Sequence, residues 1–499
     1  MHALHAPRTE DYGNVYDGEQ VPSVDGRTFV SSNPTTGREW ARFPVSTAVD
    51  VDRAVSSAHR AFVGPWAALT PTERGRRLAR WGELITAAAD EIGSLESVQN
   101  GKVVAEMRLQ VSTARDWLGY YGGLADKIEG AVVPLTSPDV LNYTLREPLG
   151  VIAVILPWNS PTFMTMMAAA PALAAGNTVV IKPSEVTSAS ASVLARLALD
   201  ADIPPGVVNV VTGLRETGEA LIDHPHVKKV SFIGSVPAGR AIGAQAGGRL
   251  ITSTLELGGK SPHIVFEDAD VDLAESGLMA GIFAAAGQTC IAGSRAYVHT
   301  SLYDEVVDRL VKRAADIRIG DPLDDQTQMG PVSSAAQLAK DVAMVQGAVA
   351  EGAELLHGGD AIQVPGLAGG HFFAPTILHR AAPSSTIMRE EVFGPVLTIT
   401  PFGSDEEVLR LANDSEFGLA AGVWTNDVRR AHSMARALQA GTVWINTYRA
   451  LAFNSPFGGY KNSGTGRNNG IEAIEQYLQT KSVWCDLGRD ELDPFVIRV

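Results

Sequence analysis

Cysteine is almost absent from this sequence: its 499 residues include two, Cys290 and Cys485. Two thiols far apart in the chain exclude a disulfide framework and a four-cysteine zinc site, so each needs its own explanation. Basic residues are also in deficit, with 41 Lys and Arg against 56 Asp and Glu and a formal net charge of −15. Nucleic-acid binding is driven by clustered Lys and Arg, so no nucleic-acid partner is expected and a small molecule is the natural ligand. Long apolar runs are missing as well. The longest, from Met164 to Ala175, is interrupted by Pro171 and is too short to span a bilayer, so no membrane partner is expected. The first thirty residues are polar, with no apolar stretch after Arg8. That is neither a secretory nor a transit pattern, and the expected location is cytoplasmic. There is no internal repeat and no low-complexity linker.

What is present can build a large core. Hydrophobic residues make up 45% and charged residues 19%, an ordinary globular balance, and the length calls for two or three domains. From Pro71 to Asn100, Leu78, Trp81, Leu84, Ile85 and Ala88 share one face, which predicts an amphipathic helix covering a sheet. After "YTLREPLG" come four short apolar strands, "VIAVILPWN", "NTVVIKPSE", "GVVNVVTG" and "VKKVSFIGS", separated by Ala-, Met- and Leu-rich helical stretches. The same grammar returns in "SPHIVFE", "SRAYVHT", "ELLHGG" and "GPVLTIT". Such alternation predicts right-handed βαβ units, and hence an α/β protein with two doubly wound parallel sheets. "TSPDVLNYTLREP" and the tail "TKSVWCDLGRDELDPFVIRV" are strand-rich but fit neither pattern. They are expected to pair into a small separate sheet that serves a subunit contact.

Ligands of open α/β sheets bind outside the carboxyl ends of strands, so Pro157, Trp158 and Asn159 stand where a cofactor or substrate belongs. "VVIKPSE" brings Lys182, Ser184 and Glu185 to the end of the next strand, where a carboxylate can accept from a ribose and a lysine can reach a phosphate oxygen. A solvated loop with a capping serine would read the same way. In "FIGSVPAGR", Gly234 and Ser235 follow a strand and Gly239 opens a helix, so backbone donors can hold a pyrophosphate, although the spacing is not GxGxxG. "GGKS" ends like a P-loop, but Thr254 stands where that motif needs glycine. Asp268, Asp270 and Asp272 alternate as in a calcium loop, but Leu273 occupies its glycine position, so helix capping is expected and no metal site.

Two residues carry candidate chemistry. Glu256 ends the strand "ITSTLE" ahead of two glycines. A carboxylate there is costly to bury unless it is paired or its pKa rises; a raised pKa suits a general base, and a hydrogen-bonded structural glutamate is the alternative. Cys290, in "AAAGQTCIAGSR", lies between a small-residue helix and a strand, where backbone N–H groups are expected to lower its pKa. A buried, inert thiol is the alternative.

In order along the chain, "PWNSP", "KPSE", "FIGS", "LELGGKSP", "GQTC", "EEVFGPV" and "SPFGGYKNSGTGR" resemble the aldehyde dehydrogenase superfamily, in its NAD(P)-dependent, hydrolytic form, over nearly the whole chain. The resemblance implies two Rossmann-like domains plus a small β oligomerisation element: residues 1–128 and 149–257 for the cofactor, 258–460 for catalysis, 129–148 and 475–499 for subunit contact in a homodimer or homotetramer. It makes Cys290 the nucleophile that attacks an aldehyde, with the Asn159 amide and the Cys290 backbone N–H as oxyanion hole and Glu256 activating water to hydrolyse the thioester. It puts Ile155, Leu156, Pro157, Trp158, Lys182, Ser184, Glu185, Gly218, Phe232, Gly234, Ser235 and Leu257 around the adenosine and pyrophosphate, and Glu391 and Phe393 at the nicotinamide end. Glu185 would repel a ribose phosphate, which favours NAD; NADP stays open because Lys182 and Arg215 are near. The aldehyde tunnel would be Met164, Met167, Thr289, Ile291, Leu451 and Phe457, with Arg449 close by, suited to a medium-sized apolar aldehyde or to a semialdehyde whose carboxylate meets Arg449. One departure is plain. Relatives that relay protons through a second glutamate often have it after the pair matching Gly466 and Arg467, where this chain has Asn468. The same fold also serves acylating dehydrogenases that use CoA or phosphate, and catalytically retired binding proteins. A cysteine hydrolase would need a histidine beside Cys290, and none of the eleven His lies in the segments expected to build the site.

Overall fold

The computed structural model describes residues 10–488 and residue 495; the rest of the expected C-terminal strand lies outside the described residues. Val151–Ile155, Thr178–Lys182 and Val208–Val210 are buried at every position, as strands covered on both faces must be. With Val227–Ile233 and Thr252–Glu256 they form the parallel centre of an eight-stranded sheet. Numbered along the chain, these five strands lie in the order 3-2-1-4-5. The order reverses between Val151–Ile155 and Val227–Ile233, so a crevice opens beyond the carboxyl ends of those two strands.

The edges of this sheet come from elsewhere in the chain. On one side Asn14–Tyr16 and Glu19–Val21 form an antiparallel hairpin, and on the other Gly464–Thr465 pairs with Thr252–Glu256. The hairpin turns at Asp17 and Gly18, with φ of 52° and 80°, the two left-handed residues that a two-residue hairpin requires. A second sheet runs Thr376–His379, Val396–Phe402, Arg295–His299, Pro262–Val265, Ala420–Trp424, Thr442–Ile445 in parallel, with Glu354–His357 antiparallel at its edge. Both doubly wound sheets expected from the strand grammar are therefore present. Val140–Pro148 and Leu478–Asp486 pair antiparallel along their whole length, with Val132–Val133 outside them. Val132, Leu141, Leu145 and Trp484 stay exposed on this small sheet. Among the described residues no helix is long and apolar enough to cross a membrane.

The expected helix over 71–100 is two helices, Pro71–Ala87 and Ala89–Asn100. Thr70 and Glu73 close a capping box over Pro71, and the apolar face packs inward, with the Trp81 indole donating to the Leu194 carbonyl at 3.0 Å. At Ala88 the backbone leaves the helix, with ψ at 14°. The second helix is turned to serve buried polar partners: Glu96 accepts from the Thr162 N–H and hydroxyl, and Gln99 accepts from the Ala189 N–H. Apolar periodicity does not register that constraint.

One buried side chain ties the first sheet to its surroundings. Asn177 accepts from the Gly150 N–H at 2.9 Å and donates to the carbonyls of Ala172 and Tyr477 at 3.0 and 2.9 Å. Asn177→Ala leaves the Gly150 N–H unpaired and takes one bond each from the Ala172 and Tyr477 carbonyls, which keep the Asn177 and Leu149 N–H groups, a cost of about 2 kcal/mol. A clear fall in the thermal melting midpoint is the expected result, and an unchanged midpoint would show that water replaces the amide.

Candidate active site

Glu256 ends the first sheet and Pro262 begins the second, so residues 257–261 carry the chain across the joint. This joins the carboxyl edge of one sheet to the amino edge of the other. Glycine is required at two positions of the crossing. A Cβ at Gly258 would strike the Glu391 carboxylate, and one at Gly259 would come within 2.5 Å of the Cys290 carbonyl. The Gly259 N–H donates to Glu391 Oε1 at 2.9 Å, which fixes that carboxylate against the crossing.

Cys290 sits in a turn ahead of the Arg295–His299 strand, as its neighbours in sequence suggested. Ala285 and Ala286 both hold positive φ, 58° and 51°, and Gly287 follows at 70°, packed too closely on the Gly394 carbonyl to carry a side chain. Alanine pays a steric cost in that region, so the approach to Cys290 is strained and must be held by its surroundings. Gln288 does much of the holding. Its Oε1 accepts from the Ser333 N–H at 2.8 Å, and its carbonyl accepts from Asn159 Nδ2 at 3.3 Å. On the far side the Tyr448 hydroxyl donates to the Ile291 carbonyl at 2.8 Å.

The electrostatics correct one expectation. Burial, helped by the Glu391 and Glu256 carboxyls, pushes the Cys290 thiol up to about 12, and the backbone N–H groups of Ile291 and Cys290 offset this only in part. Glu256 is 3% exposed, and neither carboxyl oxygen has a hydrogen-bond partner. Burial therefore raises its pKa well above the usual range, with the Arg467 charge opposing. The structural alternative, a glutamate held by hydrogen bonds, does not apply. Buried His263 packs against Tyr448 at 3.9 Å between ring centroids, the planes tilted by 40°, and burial pushes its pKa down to about 3. It is a neutral packing ring behind the Cys290 turn.

Cys290, Glu256 and Asn159 line one cavity of about 200 Å³ together with Pro157, Trp158, Met164, Ile233, Gly234, Ser235, Leu257, Gly258, Gln337, Lys340, Glu391 and Phe393. The fourteen expected cofactor residues fall into two groups of seven. Pro157, Trp158, Gly234, Ser235, Leu257, Glu391 and Phe393 are in the wall, and Phe393, at φ 62°, meets Trp158 edge to face at 5.4 Å. Ile155, Leu156, Lys182, Ser184, Glu185, Gly218 and Phe232 are outside it, along the same strand ends: Ile155 pairs with Lys182, and the Leu156 N–H donates to the Lys182 carbonyl. Gly218 lies over the Lys182 stem, 3.5 Å from where a Cβ would be, and Glu185 is exposed beyond it. Lys182 is buried, with Nζ on the Pro183 carbonyl, and Arg215 is held by Glu219 at 2.7 Å. Arg215 opens the helix Arg215–Asp223 and is not a loop residue. Ser235 caps the helix Val236–Gly248 beside bare Gly234, so the strand ends and helix start fit an extended, anionic dinucleotide.

A second cavity of about 730 Å³ reaches Cys290 from the opposite side. All seven expected substrate residues, Met164, Met167, Thr289, Ile291, Arg449, Leu451 and Phe457, line it. The sequence reading missed its outer wall: Glu106, Leu109, Trp117, Phe163, Tyr448 and Phe453. Trp117 meets Phe163 and Phe453 edge to face at 5.0 and 5.8 Å. Nor is Arg449 free. It donates to Glu106 at 2.8 Å, and buried Lys102 reaches the same carboxylate at 3.1 Å. Gln337 and Lys340 were also missed, because they come from the helix Ala335–Ala350, which carries no motif. Asp270, in contrast, caps its helix through the Leu273 N–H, as expected.

Comparison with known proteins agrees with this geometry. The model of the Aldehyde dehydrogenase family matches residues 21–483. The betaine aldehyde dehydrogenase of Brucella anthropi is 44% identical over 95% of this chain and 96% of its own length. The (Z)-2-((N-methylformamido)methylene)-5-hydroxybutyrolactone dehydrogenase of Acinetobacter baylyi is 41% identical over 94% and 96%. Among solved structures, the NAD+ complex of an aldehyde dehydrogenase from Bacillus cereus superposes with a TM-score of 0.93 at 40% identity, covering 96% of this chain and 97% of that one. With a cysteine in a strained turn and a buried acid at the joint of two doubly wound sheets, and relatives matched over nearly the full length, this chain is a member of the aldehyde dehydrogenase family and an oxidoreductase.

Proposed function

We propose that the protein oxidises an aldehyde to its carboxylic acid through a covalent thioester on Cys290, with NAD as oxidant. The observation that carries this reading is the meeting of two cavities at one sulfur: Cys290 lines both the cleft at the strand ends and the aromatic funnel. The Cys290 thiol gives its proton to solvent water, its sulfur bonds to the aldehyde carbon as the carbonyl π pair moves onto oxygen, and that negative oxygen is received by Asn159 Nδ2 and the Cys290 N–H. Pro157, Trp158, Gly234, Ser235, Glu391 and Phe393 would hold NAD, which when bound takes up the hydrogen and electron pair released at the substrate carbon. Glu256 then removes a proton from water as the water oxygen bonds to the acyl carbon and the carbon–sulfur bond breaks. Exposed Glu185, with Lys182 and Arg215 both engaged, favours NAD over NADP. The exposed apolar strip on the small sheet supports a homodimer or homotetramer held through residues 129–148 and 475–499.

For the substrate, the aromatic and aliphatic funnel supports a medium-sized, largely apolar aldehyde. A semialdehyde is the second reading, favoured by the two cations, Lys102 and Arg449, that share the one carboxylate of Glu106.

The overall reaction is tested by product analysis with NAD and a panel of aldehydes. Acid should form without CoA or phosphate, and Cys290→Ala should lose dehydrogenase activity entirely; undiminished activity in that variant would remove the mechanism. Glu256 must lose its proton to act, and burial raises its pKa, so acid release should speed up as pH rises. In Glu256→Gln that limb should vanish and the step should slow about a hundredfold or more. A pH profile identical in both proteins would rule Glu256 out as the base. Arg449→Ala should raise KM for acidic aldehydes alone if the substrate is a semialdehyde, and equal effects on neutral aldehydes would leave the apolar reading standing.

A further inference from the structure

Glu256 must return its proton to bulk water after each turnover, and the glutamate that would take it in related chains is Asn468 here. Asn468 is 1% exposed, and neither its Nδ2 nor its Oδ1 has a partner, while its backbone pairs with Phe457 in both directions at 2.7 Å. An amide cannot accept and release a proton as a carboxylate does, so the way out lies elsewhere.

The register of two strands points to it. Lys229 pairs with Thr252, Ser231 with Thr254 and Ile233 with Glu256. Side chains alternate along a strand, so Lys229 and Ser231 share one sheet face with Thr254 and Glu256. The segment after Asn468 packs on that face: the Thr254 hydroxyl donates to Gln476 Oε1 at 2.9 Å, and the Lys229 ammonium lies 5.3 Å from the centre of the Tyr477 ring. Ser231 and Tyr477 are 1% and 2% exposed, and the hydroxyl of each is without a partner. Buried polar atoms are almost always paired, so unpaired ones on four neighbouring residues, Glu256, Asn468, Ser231 and Tyr477, mark a seam where water completes the hydrogen bonds. Hydroxyls and water both donate and accept, which is what proton transfer along a line requires. From Lys229 to Ile233 the strand advances roughly 13 Å, too far for direct exchange.

We propose that Glu256 discharges its proton along this sheet face, through water beside Asn468 and the hydroxyls of Tyr477 and Ser231, to the amine of Lys229. The proposal rests on Glu256 being the hydrolytic base. Water gives one proton to the Glu256 carboxylate during thioester hydrolysis. The carboxyl gives a proton to the first acceptor in the line, each hydroxyl passes on its own, and the neutral Lys229 amine becomes an ammonium that releases the proton to bulk. None of these relay residues touches substrate; they act through Glu256. The local charges suit the route. Arg467 opposes the burial that raises Glu256; burial, opposed by the nearby Ser231 hydroxyl and aided a little by Glu256, pushes Tyr477 up to about 12; and burial alone brings Lys229 down to about 8, where it can cycle.

The test is a single turnover of the full-length enzyme with NAD and an oxidisable aldehyde, quenched at intervals, with NADH, free acid and the acyl-enzyme mass followed separately. Tyr477→Phe removes one oxygen, Ser231→Ala another, and Lys229→Met the terminal amine. Each should form NADH within twofold of the parent rate yet release acid about tenfold more slowly, with acyl-enzyme accumulating. Lys229→Arg keeps the charge but cannot give up a proton, so it should be as slow as Lys229→Met. Normal acid release in Tyr477→Phe and Ser231→Ala, equal slowing of both steps, or rescue by Lys229→Arg would overturn the relay. Should Lys229→Met not fold, the two hydroxyl variants decide. If the parent enzyme itself forms no acid without CoA or phosphate, the hydrolytic reading fails, which is a different result from a parent that hydrolyses normally and variants that do so equally well.

Discussion

A carboxyl group sealed at the joint of two sheets, with neither oxygen hydrogen-bonded, sets the terms for everything around it. Burying a charge there without a partner would cost several kcal/mol, so burial favours the protonated form of the group. The fold keeps it in place by geometry instead of by bonds. Glu256 is the last residue of a strand clamped between Val227–Ile233 and Gly464–Thr465, and the Leu257 N–H is tied to the Ser463 carbonyl at 2.9 Å. The backbone is fixed, and the side chain is left free to act.

Cys290 is treated in the same way. Its thiol is held neutral by burial, its turn is fixed through Gln288, Asn159 and Tyr448, and the strain at Ala285 and Ala286 is borne upstream. Two neutral groups can share a buried site without repelling each other, and the first of them to ionise raises the cost for the second.

Much of this was legible in the sequence, for physical reasons that differ from one element to the next. Buried parallel strands are continuous apolar runs, so seven of the eight quoted strands appear as expected, and the eighth, Glu354–His357, appears as an antiparallel edge strand. Glu256, Cys290 and Asn159 stand at strand ends or turns next to residues of small or special geometry, and position and motif agreed. Asp17 and Gly18 carried a hairpin signal that was passed over. The break at Ala88 was not legible, because Glu96 and Gln99 turn the second helix toward partners at Thr162 and Ala189, far along the chain. The thiol's pKa was misread for a related reason: turn geometry can be inferred locally, but desolvation depends on everything that packs around the turn.

The outer funnel is the part that local reading reaches least. Trp117, Phe163 and Phe453 come from three separate segments, and nothing in any one of them says that the three rings meet. Charge follows the same rule. Arg449 alone suggests an anion site, yet beside Glu106 and Lys102 it is one member of a half-buried triad whose net charge is set by residues as far as Glu106, 343 positions away along the chain. Reaction chemistry is concentrated in short segments at strand ends, because the reacting atoms must be held close together. Substrate preference is spread over a surface assembled only by folding, so the fold had to be in hand before the funnel could be described at all.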